Sequence, residues 1–196
     1  HETDVNKKKE CNAFLERCDE TDLTIMKYRD SVIIAYSRKI TDVDEDKYSV
    51  CRIAMDGSAQ EELFSCHQLM YPIMHRGYIY YFLTEYSVNE DEMLGQIRFC
   101  RRNIESRNRK EEVLYVPEEG HGCSGIQAYG KYIYLTTLRK NGKEMITSCY
   151  DTETNITTDF PSTFRPYEAY GGYTYYFSGN DTDQESKDLY QCGPMG

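Results

Sequence analysis

The sequence predicts an all-β protein of the β-propeller class, built from four four-stranded sheets. Near copies of one tyrosine-rich stretch recur at 77–82, 130–135 and 171–177, with a weaker copy at 30–36. Four cysteines, Cys51, Cys100, Cys149 and Cys192, follow these copies at spacings of 49, 49 and 43 residues. The 19 tyrosines suit half-buried strands, because each has a large ring to bury and a hydroxyl to keep bonded.

Alternation of apolar and polar residues, together with turn residues, predicts four strands in each of the first three units and three strands in the fourth. In the first unit, Asp-Gly at 56–57 favours a hairpin turn, and the strands are predicted at 25–28, 31–37, 48–53 and 61–64. The second and third units repeat this order, with strands at 69–74, 78–84, 96–101 and 112–116, then at 126–129, 132–137, 144–150 and 156–160. The fourth unit has strands at 166–170, 173–178 and 188–192 and lacks an outer strand.

The missing outer strand has a candidate at the beginning of the chain. Ala13, Phe14 and Leu15 form an apolar stretch just before the first unit, where each other outer strand lies relative to the unit after it. We therefore expect this N-terminal strand to complete the last sheet and close the ring, which removes exposed strand edges. The predicted organisation is a lead-in at 1–9 and a propeller domain at 10–196.

Charge and hydropathy restrict the classes of partner. The chain has 33 acidic and 23 basic residues, a formal net charge of −10. Such a surface repels nucleic-acid phosphates, so we expect no nucleic-acid partner. No apolar run approaches the ~18 residues that would span a bilayer, so we expect a soluble domain without membrane insertion.

Eight cysteines are many for a cytosolic domain of this length. The sequons at Asn155 and Asn180 also fit a secreted glycoprotein, so we expect an extracellular or cell-surface setting. The third-strand cysteines suggest disulfides with cysteines in the links after fourth strands, although eight cysteines allow about 105 pairings. The pairs expected are Cys51–Cys66, Cys100–Cys123, Cys18–Cys192 and Cys11–Cys149. The alternative is a set of buried thiols at matching strand positions.

Two short motifs resemble a known repeat family. Tyr-Ile-Tyr-Tyr at 78–81 and Ile-Ala-Met-Asp-Gly-Ser at 53–58 are similar to the propeller repeats of the low-density-lipoprotein-receptor type, and most of all to their bacterial relatives. The chain departs from that family because it has no Tyr-Trp-Thr-Asp tetrapeptide and only one Asp-Gly-Ser. The resemblance implies a binding scaffold rather than an enzyme, and it supplies no catalytic residues.

The loops between second and third strands are acidic in three of the four units. Propeller geometry would place them on one face, with the links between sheets. Aromatic residues on inner strands, links or loop edges offer a further binding platform, and the candidates are Tyr71, Tyr86, Phe164, Tyr167 and Tyr170. The predicted partner-binding residues are Asp42, Asp44, Asp46, Tyr86, Glu90, Asp91, Tyr167, Asp181 and Asp183. On the opposite face we expect a basic cluster of Arg101, Arg102, Arg107, Arg109 and Lys110.

Two sets of residues have the composition of metal sites, although charged loop residues are commonly just solvated. The alternate acids of Asp42, Asp44 and Asp46 are typical of calcium loops, but Lys47 stands where such a loop needs glycine. His67 beside Cys66, and His121 near Cys123, offer zinc ligands at poor chelating spacing. We therefore expect no metal or other cofactor, with Ca²⁺ left as the open alternative.

No sequence motif of a catalytic site is present: there is no Gly-x-Ser-x-Gly elbow, phosphate-binding glycine loop or His-Glu-x-x-His helix. The residues favour a non-enzymatic module that recognises a protein or peptide through its acidic face, and a basic partner would complement that face. The main alternative is a carbohydrate-binding or glycan-cleaving propeller. A third is a fragment that pairs its open edges with another copy.

Overall fold

A computed structural model describes residues 18–38, 48–85, 96–118, 121–139, 145–160, 165–170, 173–178 and 188–192. Side chains are described within these ranges except at 18–22, 85, 121 and from 165 onward. The described residues form strands and turns and no helix. The strands are β1 (Cys18–Tyr28), β2 (Ser31–Arg38), β3 (Tyr48–Ala54), β4 (Gln60–Cys66), β5 (Met70–His75), β6 (Tyr78–Glu85), β7 (Gln96–Asn103), β8 (Glu111–Tyr115), β9 (His121–Tyr129), β10 (Tyr132–Arg139), β11 (Met145–Asp151), β12 (Ile156–Asp159), β13 (Arg165–Tyr170), β14 (Tyr173–Ser178) and β15 (Asp188–Cys192).

The strands form antiparallel sheets in chain order, as the repeats predict. Three sheets have four strands, in the orders β1-β2-β3-β4, β5-β6-β7-β8 and β9-β10-β11-β12, and β13-β14-β15 make a three-stranded sheet. Most predicted strand ends are confirmed within two residues, because alternation and turn residues define them, but β1 and β9 begin seven and five residues before the predicted 25 and 126. The proposed outer strand at 13–15 lies outside the described residues.

The repeated tyrosine-rich stretch forms the second strand of each sheet. In β6, Tyr80, Tyr81 and Phe82 are fully or almost fully buried, and in β10 so are Ile133 and Leu135. Successive residues of a strand point to opposite faces of the sheet, so burial of consecutive residues means that both faces of these strands are packed. The second strands therefore contribute much of the buried core.

The turns meet in pairs, as the predicted face assignment requires. Asp30 O, in the β1–β2 turn, accepts a hydrogen bond from Met55 N of the β3–β4 turn at 3.1 Å. The third sheet repeats this contact, with Thr152 N donating to Lys131 O at 2.9 Å. First-to-second and third-to-fourth turns therefore lie at one end of these sheets, so second-to-third connections leave from the other end. In the Asp-Gly turn only Gly57 has a positive φ, of 70°, so the turn is not a two-residue primed turn.

The cysteine expectations need correction. Cys51, Cys100, Cys149 and Cys192 do lie on third strands, but Cys18, Cys66 and Cys123 belong to β1, β4 and β9 rather than to links. No disulfide joins the described cysteines: Cys51, Cys66, Cys100, Cys123 and Cys149 are all thiols.

Strand register explains why the predicted Cys51–Cys66 bridge is wrong. Cys66 pairs with Tyr48, three residues before Cys51 on β3. Three residues of strand separate the two cysteines by about 10 Å and put them on opposite faces, whereas a disulfide needs Cα atoms within about 7 Å. Cys100 and Cys123, the second predicted pair, are thiols in different sheets. Cys11 and the side chains of Cys18 and Cys192 lie outside the described residues.

The chain divides into two compact units that do not follow the sheet boundaries. The first unit comprises His1–Tyr81 and Arg101–Glu112, and the second comprises Phe82–Cys100 and Val113–Gly196. The boundary runs through the second sheet.

Candidate functional site

A cavity of about 390 Å³ opens in the first unit, within the range of about 300–1,000 Å³ typical of ligand pockets. The first strands of the first two sheets, β1 and β5, supply most of its wall. The lining residues described are Leu23, Thr24, Ala35, Tyr48, Leu69, Met70, Tyr71 and Pro72.

Strand register places this cavity at the loop-bearing end of the first sheet. Leu23 pairs with Tyr36 near the end of β2, and Tyr48 pairs with Ser37 at the start of β3. Chain leaves the sheet after Arg38 and re-enters it at Tyr48, so the connection at 39–47 begins and ends beside the cavity. This is the end at which the sequence predicts partner binding.

The cavity presents an apolar wall with polar points. Leu23 is 43% exposed and Tyr71 is 47% exposed, unusually open for such large side chains, whereas Ala35 and Leu69 are buried. Thr24 and Tyr48 contribute hydroxyl groups. None of the described lining residues carries a formal charge, so this wall is suited to a neutral group rather than an ion.

Tyr71 holds a strained backbone at the cavity. Its φ is 52°, which a bulky non-glycine residue rarely adopts. Pro72 follows, and a residue before proline is normally driven to extended conformations. Strain of this kind costs about 1–3 kcal/mol and is concentrated at binding sites and active sites. Tyr71 was one of the tyrosines that the sequence singled out as a platform.

Ser37 is a buried polar residue of β2. Its exposed fraction is 0%, and its Oγ has no hydrogen-bond partner among the described residues. Ser37 lies two residues after Ala35 on β2 and directly opposite Tyr48, so it shares a sheet face with these two lining residues, but it does not itself line the cavity. Sequence reasoning missed Ser37, because only the packing reveals that its hydroxyl is unpartnered.

The nine predicted partner-binding residues are not tested by these contacts. Asp42, Asp44, Asp46, Tyr86, Glu90, Asp91, Asp181 and Asp183 lie outside the described residues, as does Phe164. Tyr167 and Tyr170 belong to β13, but their side chains also lie outside the described set. Within the described part of the chain, no group of three or more His, Cys, Asp or Glu residues is placed to hold a metal ion.

The predicted basic cluster is largely neutralised. Arg101 Nε lies 2.7 Å from Glu112 Oε2, and Arg102 Nη2 lies 3.1 Å from Glu111 Oε2. Arg109 forms an ion pair with Glu61, 48 residues away, and donates to Leu63 O. Only Arg107 and Lys110 of the five are classed as exposed. Because three of the five basic side chains are paired with carboxylates, the predicted basic face has less net positive charge than the sequence suggests.

A smaller cavity of about 210 Å³ lies in the second unit, lined by Cys149, Asp151, Thr154, Ile156, Thr158 and Phe160. Burial, and then the charge of Asp151, raise the pKa of Cys149 to about 12. This thiol is protonated at neutral pH and is a poor nucleophile. Asp151 Oδ1 accepts hydrogen bonds from the backbone of Glu153 and Thr154, which makes it a turn-capping residue.

Two solved structures resemble the chain in fold. One is TolB from Acinetobacter baumannii, with 15% identity over 77% of this chain and 36% of that one, and a TM-score of 0.49. The other is an oligogalacturonate lyase in complex with manganese, with 12% identity over 90% of this chain and 52% of that one, and a TM-score of 0.54. The chain thus spans about a third and about half of their lengths.

No protein-family model matches the chain, and no curated protein matches its sequence. No helix in the described ranges has the length and apolar character needed to cross a membrane. Both structural neighbours are β-propellers, but neither points to repeats of the low-density-lipoprotein-receptor type in particular. The likeness to the lyase concerns fold alone, and it shows that this all-β chain has a fold of the β-propeller kind.

Proposed function

We propose that the chain is a non-enzymatic binding module that recognises a peptide segment of a protein partner. The observation that carries this proposal is the 390 Å³ cavity with the exposed side chains of Leu23 and Tyr71 on its wall. Partly exposed large apolar and aromatic residues around a pocket are typical of sites that anchor a partner side chain.

The charge of the chain favours a basic partner. Net charge is −10, and the sequence between Arg38 and Tyr48, which begins and ends beside the cavity, includes Asp42, Asp44 and Asp46. Opposite charges around an apolar anchor steer association and set the register of binding. A peptide with an apolar anchor flanked by Lys or Arg has this complementarity.

Carbohydrate binding is the second candidate, because an exposed tyrosine such as Tyr71 also offers a platform for a sugar ring. The structural neighbour named as an oligogalacturonate lyase suggests an acidic sugar chain. Acidic sugars need cationic partners, and the described lining residues include none. The cavity therefore favours a neutral group, whether a peptide side chain or a neutral sugar.

A panel of fluorescent peptides tests the proposal. The peptides carry one apolar residue between Lys and Arg residues, and matched peptides replace Lys and Arg with Glu. We expect the basic peptides to bind and the acidic ones to fail, with affinity falling as salt is raised. Leu23→Ser and Tyr71→Ala should each weaken binding by about 5- to 30-fold, the loss of an anchor contact.

Ile156→Ser is the matched control, because Ile156 is an exposed apolar residue, 59% exposed, in the second unit. It should leave peptide affinity unchanged. Equal losses for Ile156→Ser and Leu23→Ser would contradict a specific site. Binding of neutral glycans on an array, without peptide binding, would replace this proposal with the carbohydrate alternative.

We also propose four sheets, with the fourth completed by the N-terminal strand at 13–15. The support is the sequence repeat together with the strand counts, since three sheets have four strands and β13-β14-β15 has three. Removing residues 1–17 should speed amide exchange in β15 at low protein concentration, because a strand edge would lose its partner. Unchanged exchange in β15 would reject this closure.

An extracellular setting is proposed on the sequons alone, since the described cysteines are thiols. Asn155 is exposed in the turn between β11 and β12. Expression through a secretory pathway should yield a chain whose mass falls on enzymatic removal of N-glycans. Substitution Asn155→Gln should abolish the part of that change due to this site; a secreted chain with no glycan would count against the proposal.

A further inference from the structure

We propose that the partner peptide binds as an added β-strand along the open edge of β1, the edge that faces away from β2. This inference rests on the proposed peptide-binding function and deepens it by naming the mode of recognition. It starts from the sheet order, in which β1 pairs with β2 alone among the described strands. Main-chain groups of a peptide can bond to such an edge and extend the sheet by one strand.

Hydrogen bonds of the neighbouring strands show which residues of β1 face the open edge. Asp30 O accepts from Met55 N in register with the β2–β3 pairs, so even-numbered residues of β2 direct their main-chain groups toward β3. The odd-numbered residues of β2 therefore bond to β1, where their partners are every second residue from Thr24 onward. The residues of β1 whose main-chain N–H and C=O groups point to the open edge are Leu23, Ile25 and Lys27.

The side chains of these three residues are exposed as well. Leu23 is 43% exposed and Ile25 is 64% exposed, and Lys27 is also classed as exposed. Residues two apart in a strand share a face, so two apolar side chains follow each other on this face. Thr24 lies between them on the opposite face, where it lines the cavity. An added strand would thus direct alternate side chains to Leu23 and Ile25 and toward the face of the cavity.

The first strands of the next two sheets lack this combination. β5 contains Pro72, which has no N–H and interrupts main-chain bonding. The exposed residues described in β9 are Gln127 and Ala128, and neither has a large apolar side chain. Proteins usually protect exposed edges with charges, prolines or bulges. In β1, Lys27 and a register shift between Asp19 and Leu23 lie at the two ends of the apolar pair and leave that pair uncovered.

The sequence of β1 favours a basic peptide. Asp19, Glu20 and Asp22 belong to β1 and precede Leu23, so the apolar pair follows an acidic segment. Lysine or arginine at one end of the added strand would lie beside this acidic segment, and such complementarity sets the register of binding. A second copy of this chain is a poor occupant, because both copies carry a net charge of −10 and repel each other.

Amide hydrogen exchange of the full chain, resolved by residue and measured with and without the basic peptide, tests this mode. The amides of Leu23, Ile25 and Lys27 should exchange quickly in the free chain, because no described strand bonds to them. Saturating peptide should slow their exchange by about 10-fold or more, since they then donate to a strand. The amides of Thr24 and Met26 already bond to β2 and should change little. Equal slowing of all five amides, or of none, would overturn strand addition.

A pair of substitutions at Ile25 isolates one main-chain donor. Ile25→Ala removes the isoleucine side chain and keeps the N–H, whereas Ile25→Pro also removes the N–H. Proline is tolerated in an edge strand where the missing N–H does not belong to the ladder. We expect Ile25→Pro to bind the basic peptide about 2- to 10-fold more weakly than Ile25→Ala, the usual range for one hydrogen bond. Equal affinities of the two variants would contradict the proposal.

Ala128→Pro is the matched control. Ala128 is exposed on β9, the first strand of the third sheet. Lys131 O accepts from Thr152 N in register with the β10–β11 pairs, so the N–H of Ala128 faces away from β10. This variant should bind the peptide as wild type does. A loss as large as that of Ile25→Pro would reveal a general effect of proline and overturn the assignment to β1.

The outcomes separate the two proposals. If no basic peptide binds, the peptide-binding function itself is wrong. If a peptide binds and Leu23→Ser or Tyr71→Ala weakens it, but exchange at Ile25 and Lys27 is unchanged, peptide binding stands and strand addition is overturned. The exchange experiment uses the unaltered chain, so it decides the question even if a proline variant fails to fold.

Discussion

At the scale of single residues, the buried Tyr81 joins several partners of the first unit. Its hydroxyl donates to Glu111 Oε2 at 2.5 Å and accepts from Arg102 Nε at 2.9 Å. Phe64 stacks against its ring, and the Arg102 guanidinium lies over Phe64. Burial, and then the hydrogen bond to Glu111, raise the pKa of Tyr81, so the phenol stays protonated. The hydroxyl thus satisfies two charged groups at once.

Tyr81→Phe should lower the free energy of unfolding by about 1–3 kcal/mol, because Arg102 and Glu111 each lose a partner in a half-buried site. Tyr78→Phe is the control: Tyr78 is only partly buried, and its ring contacts with Tyr80 and Arg101 survive the change. Urea unfolding of both variants measures the difference. A Tyr81→Phe variant as stable as Tyr78→Phe would contradict the role given to the hydroxyl.

The raised pKa of Cys149 makes the free energy of unfolding fall as the pH rises through the alkaline range. Its pKa is about 12 in the folded chain, against about 8.5 for an unfolded cysteine. Below pH 8.5 both states hold the proton, so the contribution of this thiol is fully present. As pH rises toward 12 only the unfolded state releases the proton, and the free energy of unfolding falls. Cys149→Ala should unfold with a shallower loss of stability between pH 8.5 and 11; an identical slope would rule the thiol out.

At the scale of elements, the connection at 104–110 between β7 and β8 ties the second sheet to the first. Ile104 is almost fully buried, and its N–H donates to Gly77 O at 3.1 Å. Arg52 Nη2 donates to Ile104 O at 3.3 Å and to Glu105 Oε1 at 3.2 Å. Arg29 also pairs with Glu105, at 3.7 Å. An apolar anchor and exposed ion pairs therefore act at the same place.

Burial decides which of these matters more. Ile104→Ala should destabilise the chain by about 2–5 kcal/mol, the usual cost of a large cavity in a core. Glu105→Gln should cost at most about 1 kcal/mol, because the Glu105 side chain is 43% exposed and solvent screens its pairs. We expect the melting midpoint to fall more for Ile104→Ala than for Glu105→Gln. The reverse order would mean that the ion pairs contribute more to stability than the buried isoleucine.

The strands could be predicted from the sequence, but the residues that contact the connection at 104–110 could not. Alternating residues and the repeated second strand defined β2, β6, β10 and β14 locally. Arg109 pairs with Glu61, 48 positions away, and the local sequence does not show this ion pair, so the basic residues were predicted to form an exposed positive surface. Cysteine spacing correctly placed Cys51 on a third strand, but only the strand register shows that Cys66 is too far away for a disulfide.

At the scale of the whole molecule, repetition is what made the architecture readable. Each repeat supplies one sheet that cannot bury its faces alone, so similar sheets recur along the chain. Such repetition carries little information on function, because it records what all sheets share. The cavity depends on what differs between them, such as the strained Tyr71. Of the predicted acidic loops, the one at 39–47 leaves and re-enters the first sheet beside this cavity.

The location of the bound peptide tests the central claim most directly. Backbone amide shifts of the full chain can be followed while the basic peptide with one apolar residue between Lys and Arg is added. We expect the largest changes at Leu23, Thr24, Tyr48 and Tyr71, with little change around Ile156. Shifts concentrated at Ile156 and Phe160, or no shifts at saturating peptide, would contradict the assignment of this cavity as the binding site.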